Sequence, residues 1–167
     1  NEVNEDWLLR ELSTDIRFLQ RRLEYNLLAN HLLENAFALY VGGLLLGQTR
    51  AFKKGEELII KELDEQIFGD GMHYERSPMY HLIILERLLD TLNFSKGSKI
   101  EELLRTYAIK RTGVVINWQN LERIPMFQDS AYNVASSIPS ILEYSERLLG
   151  LTFPSGPSEL KDSGYRA

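Results

Sequence analysis

Apolar residues recur at steps of three and four along most of this chain, and glycine, proline or serine stands where the rhythm breaks. Over residues 5–24 the stripe is Leu8, Leu12, Ile16, Leu19 and Leu23, with arginine and glutamate between them, which is the period of an amphipathic helix. A second helix is predicted from Leu27 to Leu46, loosened by Gly42-Gly43 and stopped by the turn Gly47-Gln48-Thr49. A third, over 52–68, carries Ile60, Leu63 and Ile67 on one face and ends at Gly69. The fourth, over 78–93, starts behind Ser77, a favoured N-cap, with Pro78 at the first helical position and Tyr80 at N3. Its stripe is Leu82, Leu85, Leu89 and Leu92. A fifth helix over 98–112 shows Ile100, Leu103, Leu104 and Tyr107, and a sixth over 134–149 closes at Gly150.

From Gly113 to Asn133 the period fades, and Asn117-Trp118-Gln-Asn followed by Arg123-Ile-Pro-Met-Phe-Gln-Asp-Ser130 reads as a long structured loop, a class of segment that often carries function. Pro154, Gly156, Pro157 and Ser158 read as a linker. The tail from Leu160 to Ala167 resembles the approach to a β-strand with no partner in this chain. No alternating run is long enough for a sheet, and no fixed-period repeat exists. The predicted fold is all-α, with antiparallel neighbours joined by mostly short connections.

Composition narrows the possible partners. The 167 residues are 44% hydrophobic and 26% charged, as in an ordinary globular domain. A formal net charge of −5 argues against broad nucleic-acid binding and supplies no general attraction for polyanions, so any anion site has to be local. Cysteine is absent, which removes thiolate chemistry without deciding the compartment. The first six residues lack the pattern of a signal peptide, and a trimmed secreted chain would look the same. The most apolar stretch, Leu27 to Leu46, carries Asn30, His31, Glu34 and Asn35, so a buried helix is expected and no membrane insertion.

Two constellations could do chemistry. Residues 70–81, Asp-Gly-Met-His-Tyr-Glu-Arg-Ser-Pro-Met-Tyr-His, place a phenol and an imidazole at a helix N-terminus, where backbone N–H groups and the helix dipole favour anions. On the second helix, Asn30, His31 and Glu34 fall three and four apart and share a face. Each has a purely structural alternative: buried polar groups that satisfy one another around Asn30-His31, and caps with an Arg76 pairing to Glu75 or Asp70 in the loop. A zinc site is a further alternative, although the histidine spacings match no zinc signature, and no metal is predicted. Serine-hydrolase elbows, phosphate-binding glycine loops and Cys–His pairs are missing. The remaining kit of Asn, His, Tyr, Arg and carboxyl suits proton abstraction next to a carboxylate. Tyrosine can fill either proton-transfer role if cationic or hydrogen-bonding groups lie near, and His81, Arg76 and the helix N-terminus are candidates.

Taken in order, Asn30-His31-Leu-Leu-Glu-Asn35, Glu62-Leu-Asp-Glu-Gln66-Ile, Asp70-Gly71 with Glu75-Arg-Ser-Pro-Met-Tyr80-His81, and Ile124-Pro-Met-Phe-Gln-Asp-Ser130 resemble the heparinase II/III-like polysaccharide lyases, which include heparan-sulfate and alginate lyases. The likeness covers most of residues 15–150. It implies a partial (α/α) toroid of helical hairpins over 1–150, with 151–167 as linker and start of a β-sandwich domain. It also implies β-elimination in an acidic polysaccharide or oligosaccharide, with no cofactor. On that resemblance Asn30 and His31 match the carboxylate-neutralising positions, Glu34 an acidic partner and Tyr80 the catalytic tyrosine. His73, Glu75, Arg76 and His81 would shape the subsites, and Asp129 would line the cleft. Relatives commonly show Phe-Asn-Asp-Ser where this chain has Phe127-Gln-Asp-Ser130. The family completes its site from the downstream β-sandwich domain, so residues 1–167 alone are expected to be weakly active or inactive. A periplasmic or secreted location is implied as well. The rival expectation is a non-catalytic carbohydrate-binding or scaffold helical domain.

Overall fold

A computed structural model describes residues 5–27, 29–156 and 159–166. Their helices are α1 (Glu5–Leu19), α2 (Ala29–Leu45), α3 (Thr49–Gln66), α4 (Pro78–Phe94), α5 (Glu101–Ile116) and α6 (Ile138–Leu149). The only strands among the described residues are β1 (Glu159–Leu160) and β2 (Tyr165–Arg166), so the predicted all-α class holds. No helix among these residues is long and apolar enough to cross a membrane. Contacts divide the chain into two compact units, residues 1–62 and 63–167, and the division falls inside α3.

In the first unit α2 is buried on nearly every side, from Leu32 and Leu33 through Phe37 and Tyr40 to Gly42 and Gly43, as its all-round apolar sequence requires. Ile16 of α1, Leu39 of α2 and Ala51 of α3 form a small core, with Leu12, Leu19, Leu23 and Leu46 packed around it. Glycine makes this packing possible. A Cβ on Gly42 would stand 2.8 Å from Ile16 Cγ1, and one on Gly55 would stand 2.8 Å from both Ala36 O and Tyr40 Cα.

The first helix ends at Leu19, five residues before the predicted boundary. The Arg21 and Arg22 N–H groups tighten into bonds with Phe18 O and Leu19 O, each at 3.0 Å. The Glu24 N–H then donates to Asn35 Oδ1 at 3.0 Å. A side chain from α2 thus takes the donor that a longer α1 would have spent on its own carbonyls. Trp7, Leu8, Leu9 and Phe18 remain exposed on α1.

In the second unit α4, α5 and α6 pack against one another. The predicted start of α4 is present: Ser77 is extended (φ −92°, ψ 118°), its side chain accepts from Tyr80 N, and proline opens the helix. The fifth helix runs four residues past its predicted end, because Val114, Val115 and Ile116 are interior and packing outweighs the low helix propensity of a Gly-Val-Val run. The sixth starts at Ile138 rather than 134, where Ser137 accepts from Ser140 N and a proline sits in the first turn. Gly150 closes it in the left-handed conformation at φ 65°.

The tail corrects an expectation. Its strand has a partner within the chain, since Glu159 and Leu160 pair antiparallel with Arg166 and Tyr165. Asp70 Oδ2 anchors that hairpin by accepting from Ser163 N at 2.8 Å and from Ser163 Oγ at 3.0 Å. The predicted linker lies partly outside the described residues, at Pro157 and Ser158.

Candidate active site

Tyr80 lies in the first turn of α4 and is half-buried. With Glu75, Ser77, Gln128 and Asp129 it lines an open groove of about 260 Å³. The two walls of this groove are fifty residues apart in sequence, and one pair of hydroxyls joins them. Ser77 Oγ and Ser130 Oγ share a hydrogen bond of 3.0 Å. Met79 N donates to Ser130 Oγ at 3.4 Å, and Tyr80 N donates to Ser77 Oγ at 3.3 Å. Three predicted site residues, Tyr80, Glu75 and Asp129, therefore come together beside a helix N-terminus.

Backbone strain frames the same groove. Arg76 (φ 57°) and Gln128 (φ 51°) both occupy the left-handed region, and each is the chain neighbour of a groove carboxylate, Glu75 or Asp129. A non-glycine residue there costs about 1–2 kcal/mol, and such strain concentrates at ligand sites. The Arg76 guanidinium lies 5.8 Å from the centre of the Phe68 ring. The Asp70 carboxylate accepts from Met72 N at 3.0 Å and from Ser163 N at 2.8 Å.

The two histidines of this segment, expected to shape the subsites, are interior. His73 and His81 are both fully excluded from solvent. His73 Nε2 donates to Gln66 Oε1 at 3.0 Å. His81 Nε2 donates to Arg111 O at 3.0 Å, and Arg111 Nη2 returns a bond of 2.6 Å to His81 O, so α4 and α5 are joined reciprocally. Trp118 meets the His81 ring edge-on at 5.4 Å.

Arg111 is itself fully buried, and among the described residues no carboxylate pairs with it. Desolvation lowers its pKa to about 9, which leaves it charged at neutral pH. Burial first, and the Arg111 charge second, lower the His73 pKa to about 3 and hold His81 well below the ordinary 6.5. Both imidazoles are neutral, and His81 supplies no cation for Tyr80. Their task is to fix the 66–81 turn against α5. Gly71 is required in that turn, with φ 91° and space for a Cβ only 2.6 Å from Lys110 O.

In the first unit Asn30 and Glu34 are half-buried on α2, and the His31 side chain is about half exposed. His31 Nδ1 lies 3.6 Å from Glu24 Oε2, and that same oxygen accepts from Asn35 Nδ2 at 3.0 Å. The Asn35–Glu24 bond thus sets a carboxylate oxygen beside one ring nitrogen of the partly exposed His31. Glu24 was hidden in the sequence, where it continues the α1 pattern; Asn35 was visible in the Asn30–Asn35 motif without an assigned task. Gln66 and Ser130 also stood inside quoted motifs, whereas no local signal marked Arg111. Among the described residues no three His, Asp or Glu side chains converge as metal ligands.

Comparison with known families gives a match over residues 2–153 to the family described as Heparinase II/III N-terminus. No curated protein and no solved structure matches.

Proposed function

This chain belongs to the Heparinase II/III N-terminus family, and from that premise we propose that it is the helical part of a lyase that cleaves a uronic-acid-containing polysaccharide by β-elimination. The family accounts for the lyase lineage and the polysaccharide substrate class. The finer roles are our assignment.

Asn30 and His31 bind the uronate carboxylate, and Glu24 with Asn35 orients His31 for that task. Neutralising the carboxylate acidifies the proton on C5, because the charge that builds on the carboxylate as the proton leaves is then met by hydrogen-bond donors. Tyr80 carries the proton transfer. The C5–H electron pair forms a double bond to C4, the C4–O bond breaks, and the departing sugar oxygen takes up a proton. Glu75 and Asp129 face sugar hydroxyls in the groove that Tyr80 lines, with Glu34 as the acidic partner beside His31. Arg76 shapes the neighbouring subsite. A downstream β-sandwich domain supplies the remaining catalytic group, and the whole protein acts in the periplasm or outside the cell.

The observation that carries this proposal is the open groove in which Tyr80 meets Glu75 and Asp129, held together by the Ser77–Ser130 bond. The test is to assay the protein at its natural full length on a panel of uronate polysaccharides, following the ultraviolet absorbance of unsaturated uronate. Tyr80→Phe should lower kcat by about 10²–10⁴-fold while oligosaccharide binding persists. Wild-type turnover in Tyr80→Phe, or no cleavage of any uronate polymer, would refute the proposal.

A further inference from the structure

We propose that a basic groove between the end of α1 and the first half of α3 anchors the acidic polysaccharide, using none of the residues assigned to elimination. The identity of the polymer rests on the lyase assignment; the groove itself rests on charge and shape. Its volume is about 830 Å³, and it is lined by five cations, Arg17, Arg21, Arg50, Lys53 and Lys54, against one carboxylate, Glu57. In a chain with 24 acidic and 19 basic side chains, a local balance of five to one is a marked departure from the average surface. A local anion site in an acidic protein has to be built in this way.

Helix geometry explains how the cluster is presented. Arg50, Lys53, Lys54 and Glu57 fall at i, i+3, i+4 and i+7 along α3, and the opposite side of that helix is buried through Ala51, Gly55, Leu58 and Ile59. The first turn of α3 contains no acidic residue. Its cations oppose both the helix dipole and one another, so the cluster costs the free fold stability that a bound anion would restore. Among the described residues no carboxylate pairs with Arg21, Arg50 or Lys53.

A further observation selects a sugar among anions. Tyr25 also lines the groove, is 51% exposed, and has the Lys54 ammonium 6.0 Å from its ring centre. An exposed aromatic face beside cations can stack on a pyranose ring while the cations take its carboxylates. Tyr25 follows Glu24, the residue that holds His31.

The test is titration of the chain with an oligouronate of about eight sugars by calorimetry, at several salt concentrations, beside the triple variant Arg21→Gln, Arg50→Gln, Lys53→Gln. All three side chains are exposed, and circular dichroism checks that the helices persist. The variant should bind about tenfold more weakly, and the slope of log affinity against log salt should fall by about two to three. Glu57→Gln should bind more tightly than wild type. Equal affinity of wild type and triple variant overturns the proposal, as does the absence of wild-type binding, weaker binding by Glu57→Gln, or equal binding of a neutral dextran. Lyase activity is tested separately by Tyr80→Phe, so its failure would leave the groove measurement standing.

Discussion

Lowering the pH from 7 to 5 should cost this fold about 2 kcal/mol through His73 alone. In the folded protein this imidazole has a pKa of about 3 against an ordinary 6.5, because burial penalises its charged form and the Arg111 guanidinium adds repulsion. The unfolded chain therefore takes up a proton below pH 6.5 that the folded chain refuses until about pH 3. The stability contributed by neutral His73 is complete above 6.5 and declines across that window as the pH falls. The decline approaches about 1.4 kcal/mol per pH unit, and the 1.5 units between 6.5 and 5 give the figure above. Burial first and the Arg111 charge second hold His81 below its ordinary value as well, so its loss adds to that of His73 in the same direction, against an ordinary domain's total of about 5–15 kcal/mol. Urea unfolding followed by circular dichroism at pH 7, 6 and 5 measures the loss directly. His73→Gln, which can still bond to Gln66 and cannot titrate, should flatten the pH dependence while lowering stability at pH 7. Superimposable wild-type curves from pH 7 to 5, or an unchanged slope in His73→Gln, would show that these imidazoles are not held neutral by burial.

Three further outcomes are expected from the geometry. Ser77→Ala removes both the cap on Tyr80 N and the bond to Ser130, and should destabilise the fold by about 1–2 kcal/mol in urea unfolding. Gly55→Ala drives a Cβ to 2.8 Å from Ala36 O and Tyr40 Cα; after the gain in helix propensity, a net loss of about 1–2 kcal/mol should appear as a lower Tm. Gln128→Asn places a residue that tolerates the left-handed region at φ 51° and should raise stability by about 0.5 kcal/mol, measured by the midpoint of urea unfolding.

Those outcomes depend unequally on what could be read without coordinates. The Ser77 cap, the Pro78 start, Tyr80 at N3 and the Gly150 stop are all legible, because capping and chain reversal depend on a few adjacent residues. The Gln128 departure was visible as a difference from relatives, but its cost became apparent only when the residue proved to sit in the left-handed region.

What the sequence by itself determined was the helical class, the rough spans of six helices and the residue types of the candidate site, since period and capping act within one turn. Tertiary structure decided the rest. Asn35 ends α1 by taking a donor eleven residues back, and Ser130 brings Asp129 to Tyr80 by a bond that spans 53 positions. His81 stood in the sequence as a candidate cation at a helix mouth, yet burial first, and then the charge of Arg111 thirty residues on, leave it neutral. A polar residue's sequence neighbours do not reveal whether it will meet water or another chain segment. That choice is made by what packs over it, and it sets both the pKa and the capacity to touch substrate.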